Sequence, residues 1–212
     1  MPKLTASNPA AFDVAQHVRE STLDAHRDAE ERPFIVALLK GELTLDDYTR
    51  YLAQYCYVYQ ALEARAALSD GPVFDPNLAR LTAIESDLAA LGVVDRQTEH
   101  PPLRATSTYA AHLRALPPND LARYLAHHYT RYLGDLSGGQ VIARLVSHHY
   151  AATPEQLSFF RFDDIDDIVH YKRAYRAALN KLALSFDEVD ALVEEVNAAY
   201  HFNSAIFDEL AA

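Results

Sequence analysis

Apolar positions along the chain recur at three- and four-residue intervals, and no stretch sustains the alternation of a half-buried strand. Val14, Val18, Thr22, Ala25, His26 and Ala29 share one face of a helix expected from about Asp13 to Glu31. Pro33 can start a short helix and Lys40-Gly41 can end it. Thr44-x-x-Asp47 is a capping-box pattern opening a long helix to about Ser69, with Leu45, Tyr48, Leu52, Tyr55, Tyr59 and Leu62 as its stripe. Asp75-Pro76 begins a helix to about Leu91, and Gly92–Leu103, which holds Pro101-Pro102, reads as loop. A shorter helix follows from Thr106 to Leu116. After Pro117-Pro118 a helical pattern runs from Asn119 to Tyr150 with a glycine cluster in its middle. Two more helices close the chain, Asp163–Leu182 and Ser185–Leu210, the last behind a Ser185-x-x-Glu188 capping box. The expected fold is all-α: one domain of about eight helices over 13–212, preceded by a loose arm at 1–12.

Composition narrows the function. Half of the 212 residues are apolar and 23% are charged, enough for a core that encloses a ligand. A net charge of −11 argues against a nucleic-acid partner. The longest uncharged stretches, Tyr51–Leu62 and Val196–Phe207, have 12 residues, and a spanning helix needs about 20. No membrane span is expected. One cysteine excludes an internal disulfide and any multi-cysteine metal site, and fits a reducing, cytoplasmic setting.

Three of the six glycines, Gly134, Gly138 and Gly139, fall within six residues inside a helical pattern. Each costs about 1 kcal/mol relative to alanine there, so they mark either a bend or close approach by something bulky. Close helix–helix packing is the plainer alternative. Leu136–Gln140 spells the LSGGQ of transporter ATPases, but no Gly-Lys dipeptide exists to build a phosphate loop. Other metal readings are weaker. No glutamate stands three residues before any histidine, as a di-iron bundle requires. The adjacent pairs His127-His128 and His148-His149 point to different helix faces and chelate poorly. Cys56 reads as core.

The longer string Tyr-Leu-Gly-Asp-Leu-Ser-Gly-Gly-Gln, residues 132–140, resembles the distal-helix signature of heme oxygenases. The resemblance extends from about Val18 to Phe207, taking in an early helix with a lone histidine and a terminal Phe-Asn-x-x-x-Phe. It is to the soluble bacterial members, which lack the C-terminal membrane tail of animal forms. The implied fold places heme b between the first helix and a kinked distal helix. The implied activity is oxidative opening of heme to biliverdin with release of CO and ferrous iron. Molecular oxygen is co-substrate, and a ferredoxin or flavoprotein reductase supplies electrons.

The candidate iron ligand is His26, with small Thr22 and Ala29 about one turn to either side and Glu30 four residues on, where a carboxylate can fix the imidazole tautomer. Taken alone, such a pair reads first as an ordinary half-buried histidine paired with a glutamate. The resemblance makes His26 the proximal ligand and Glu30 its partner. It makes Asp135 a residue that binds no iron but holds water beside the bound oxygen and delivers a proton, in one network with Tyr59, Arg131 and Asn203. Gly134, Ser137, Gly138 and Gly139 would let the backbone pass over the heme face. Arg19, seven residues before His26 and about 10 Å along the axis, would join Tyr129 and Arg176 on the propionates. Arg19 stands where a lysine is usual, and Asp167 stands where bacterial relatives place another lysine, with Lys172 or Arg173 to compensate. The α isomer of biliverdin is the expected product. The alternative is a heme-binding or heme-transfer protein of the same fold, which has no need of Asp135.

Overall fold

In a computed structural model, which describes residues 12–66 and 75–212, those residues form eleven α-helices and no strand. In order these are α1 Val14–Ser21, α2 Leu23–Glu30, α3 Pro33–Lys40, α4 Leu45–Ala66, α5 Leu81–Ala90, α6 Arg96–Glu99, α7 Arg104–Ala115, α8 Leu121–Gly134, α9 Gln140–Tyr150, α10 Ile168–Lys181 and α11 Phe186–Leu210. The count exceeds eight because two expected helices divide and a short one stands inside the expected 92–103 loop.

The expected 13–31 helix breaks at Thr22, which has φ −117° and ψ 7°. Its hydroxyl donates 2.8 Å to the Val18 carbonyl, a back-bond that bends helices. The break is local, because the Thr22 carbonyl still accepts from the His26 N–H at 3.0 Å. The 119–150 pattern stays helical throughout but changes its winding: Asp135–Gly139 form a π turn between α8 and α9. The expected Asp163 start of the tenth helix moves to Ile168, because Asp167 caps it by accepting from the His170 N–H at 2.8 Å.

Helix α4 is buried at every position from Tyr51 to Tyr59, not along one stripe, because α5 and α7 pack on it with lesser contacts from α9 and α11. Helix α11 is the second hub, laid mainly against α8 and α2. Both capping boxes form: the Thr44 hydroxyl and Asp47 carboxylate exchange bonds with each other's backbone N–H, as do Ser185 and Glu188. One continuous core joins these elements. No described helix is long and apolar enough to cross a membrane. Of the expected arm, residues 1–11 lie outside the described part. Phe12 is not loose, its ring lying 5.1 Å from His17 and 6.1 Å from Phe186. Ser69 and Gly71 also lie outside it.

Gly41 and Gly92, expected to end helices, both have positive φ, 76° and 90°. Their surroundings differ: a Cβ at Gly41 would lie 2.6 Å from His149 Nδ1, whereas one at Gly92 meets nothing within 4 Å. Gly92→Ala therefore carries only the left-handed backbone penalty, about 1–2 kcal/mol. Gly41→Ala carries that penalty plus displacement of His149. Urea denaturation of the two variants is expected to show the larger loss for Gly41→Ala, and equal losses would contradict the clash.

Candidate functional site

The i, i+4 geometry of α8 sets two adjacent faces. Arg131 and Asp135 share one, turned inward and 9% and 7% exposed; Gly134 shares the next with Gly138, turned outward. A Cβ built on Gly134 or Gly138 has no heavy atom within 4 Å. Neither has positive φ, so neither conformation nor protein packing asks for glycine there. What their small size preserves is open space beside the helix. Gly139 departs from the expectation that grouped it with these two: its Cβ would sit 3.0 Å from the Phe160 ring, so it makes room for protein. At that one position the plainer packing alternative holds.

On the inward face, the Tyr59 hydroxyl donates a hydrogen bond to the Asp135 carboxylate. Arg131 lies over the Tyr55 ring at 4.8 Å, while its Nε and Nη1 are buried without a protein partner. Tyr55 donates 3.3 Å to Asn203 Oδ1, and Asn203 Nδ2 donates 2.8 Å to the Ala199 carbonyl. Asp135, Tyr59, Arg131 and Asn203 thus meet around Tyr55, which sequence reading had placed only in the apolar stripe of α4. Burial pushes the Asp135 carboxyl up to about 6, against the opposing pull of Arg131 and the Tyr59 bond. It is poised near neutrality.

His26 is half-buried on α2, its Nε2 3.5 Å from Glu30 Oε1, and its ring meets Tyr200 of α11 edge-on at 5.2 Å. Burial raises the Tyr200 hydroxyl, which also feels Tyr129, Arg131 and Glu30. Tyr200 therefore stands between the histidine helix and α8, and no sequence signal marked it. Tyr129 is nearly buried, and burial raises its hydroxyl against the pull of Arg176 and Arg19. Those two cations come from α10 and α1, so the three expected anchors converge from three helices. Lys172 donates 3.1 Å to the exposed Ser137 hydroxyl of the π turn. Thr22 is buried, and its hydroxyl is spent on the Val18 carbonyl. Cys56 is core, its thiol pushed up by burial to about 11.

The helical bundle thus sets a buried carboxylate next to a bare glycine face. A family model described as heme oxygenase matches residues 12–209, and the chain belongs to the heme oxygenase family. Heme oxygenase 1 of Synechocystis is 31% identical over 94% of this chain and 85% of its own length. Heme oxygenase 1 of Gallus gallus is 32% identical over 93% and 70%. Among solved structures, Synechocystis heme oxygenase-1 in complex with heme superposes with a TM-score of 0.87 at 31% identity, covering 94% of this chain and 92% of that one. Heme oxygenase from Leptospira interrogans gives 0.86 at 32% identity, covering 93% and 100%.

The raised Asp135 carboxyl fixes the sign of a pH effect. Its folded value, about 6, stands above its ordinary 3.8, so the folded state holds the proton longer. Stability contributed by this group is full below pH ~4 and is lost as pH rises towards 6, by about 2–3 kcal/mol. Asp135→Asn removes that dependence and keeps an acceptor for Tyr59. Urea denaturation of the heme-free proteins across this window is expected to show the variant gaining on the parent as pH rises, and a constant difference would contradict the burial effect.

Proposed function

We propose that this enzyme holds heme between α2 and the α8–π–α9 helix and opens it to α-biliverdin, with His26 as the residue that would hold the iron and Asp135 as the proton-handling group. The observation that carries the assignment is the pairing of a buried network, in which Arg131 Nε and Nη1 lack protein partners, with the open face at Gly134 and Gly138. The residues present fit the ligand. A flat macrocycle needs a helix without side chains on one face, a half-exposed imidazole, and cations for two propionates. Glycines 134 and 138, His26, and Arg19 with Arg176 beside Tyr129 supply these.

Bound heme, as both cofactor and substrate, supplies the iron that activates molecular oxygen, with electrons from a separate reductase. The chain's own residues orient and protonate. Glu30, 3.5 Å from one imidazole nitrogen of His26, would orient the ring and leave the other nitrogen for iron. Arg19, Tyr129 and Arg176 would hold the propionates. Asp135, near neutrality and bonded to Tyr59, can accept a proton and pass it on at working pH. Arg131 and Asn203 present N–H donors that hold water in place around it. Ser137 and Lys172 close the edge of the π turn. Residues 13–212 are read as a single domain of this activity.

Two variants separate catalysis from storage. His26→Ala is expected to lose the histidine-ligated Soret spectrum on adding hemin while keeping its circular dichroism, alanine being the better helix former. Asp135→Ala is expected to bind hemin but yield little biliverdin with a reductase system. Undiminished biliverdin from Asp135→Ala would leave the carboxylate without its role, whereas hemin binding by the parent without any biliverdin would favour a heme-transfer protein of the same fold.

The isomer is the second expectation. Asp167 is engaged as the cap of α10, nine residues before Arg176 and so about 13 Å along the helix. That exceeds the screening length of about 8 Å at physiological salt, so its repulsion of a propionate held by Arg176 is weak. Chromatography of the bilin product is expected to give mainly the α isomer, and Asp167→Lys is expected to change that little. A β- or δ-dominated product would mean that the anchors are wrongly assigned.

A further inference from the structure

We propose that His112, His127 and Glu195 form a binding site for a divalent transition-metal cation of the Zn2+ kind. This does not rest on the heme assignment. The three residues come from α7, α8 and α11, and each offers one ligand atom, all within 4.8 Å of one another. Glu195 Oε1 accepts from His127 Nε2 at 2.7 Å and from His112 Nε2 in a shorter bond, so both imidazoles already converge on one oxygen. Two imidazoles and a carboxylate are the donor set of three-ligand zinc sites, which keep a fourth position for water.

The surroundings have the features that orient metal ligands. Tyr109 Oη lies 3.1 Å from His127 Nδ1, where it can receive the ring proton once Nε2 binds a cation. Arg123 Nε stands 3.6 Å from Glu195 Oε2, holding the second carboxylate oxygen and leaving Oε1 for the cation. Phe202 walls the cluster, stacked on Tyr109 at 4.8 Å and 5.0 Å from the His112 ring. His127 and Glu195 are buried, whereas the His112 side chain is 34% exposed, which provides the entry path. On binding, the protons on the two Nε2 atoms leave the Glu195 bonds. The imidazoles become Nδ1–H tautomers, with the His127 Nδ1–H donating to Tyr109 Oη and the His112 Nδ1–H free to donate to water. His127 precedes Arg131 by one turn, so an occupied site would also pin the segment of α8 that carries the Asp135 network.

Chelator-treated, heme-free protein is titrated with Zn2+ by calorimetry and with Co2+ as an optical probe. One saturable equivalent is expected, with Co2+ bands of a low-coordinate nitrogen–oxygen site. His112→Ala is expected to weaken it roughly tenfold or more, a floor set by what loss of even an outer partner costs in such sites. His112 is partly exposed, so its loss should spare the fold; circular dichroism checks this, and Glu195→Gln, which keeps a hydrogen-bond acceptor, gives a second reading. His26→Ala and His148→Ala are expected to retain the equivalent. No saturable binding by the parent, undiminished binding by both His112→Ala and Glu195→Gln, or loss of binding with His26→Ala would overturn the proposal and leave the cluster a hydrogen-bonded clamp between three helices.

Discussion

A carboxylate has been carried into the protein interior without a salt bridge, and much of the surrounding arrangement follows from keeping it there. Asp135 has the Tyr59 hydroxyl as its direct partner and Arg131 one helical turn away. Burying an unpaired carboxylate is costly, and the group responds by holding its proton to higher pH. Arg131, itself buried, would suffer the same penalty if the tyrosines and the carboxylate did not surround it. The network is self-supporting only as a set. That is why its members come from α4, α8 and α11, the helices that enclose the core most fully.

The same segment must satisfy an opposite demand. One face of α8 carries Arg131 and Asp135 into the core, and the neighbouring face stays bare at Gly134 and Gly138. A regular helix with three glycines would be loose. Here the chain winds into a π turn over Asp135–Gly139 and is held from both sides, by Phe160 against Gly139 and by Gln140 Nε2 donating 2.6 Å to the Phe160 carbonyl. Single π turns inside α-helices occur often at functional sites. The glycines therefore divide their work: two keep space open outside the protein, and one lets the protein pack closely inside.

Helical periodicity, both capping boxes and the helix-ending Gly41 and Gly92 were legible in the sequence, because each depends on residues within a few positions of one another. The break at Thr22 was not, since a threonine on an apolar face fits the period whether or not its hydroxyl turns back on Val18. The π turn was half legible: glycines mark an irregular helix but do not say which winding it adopts. Long-range convergence was the hardest to see. Adjacent histidines at 127 and 128 do point apart, towards Glu195 and Tyr175 respectively. What the pair hides is that His127 finds its partners on α7 and α11, 15 and 68 residues away in the chain.

The net charge of −11 poses the remaining question of how an acidic protein holds a dianionic ligand. Net charge governs the field at a distance, whereas binding is decided within a few ångströms, because screening removes most of the rest. Arg19 and Arg176 reach Tyr129 from α1 and α10, which touch each other, so the contact between those two helices is what gathers the cations. Asp167 adds little to the opposing charge there, since its carboxylate accepts the His170 N–H at the start of α10. The acidic surplus can thus lie over the rest of the surface without weakening the anchor. The helix contacts that build the core are also those that bring two arginines together beside Tyr129.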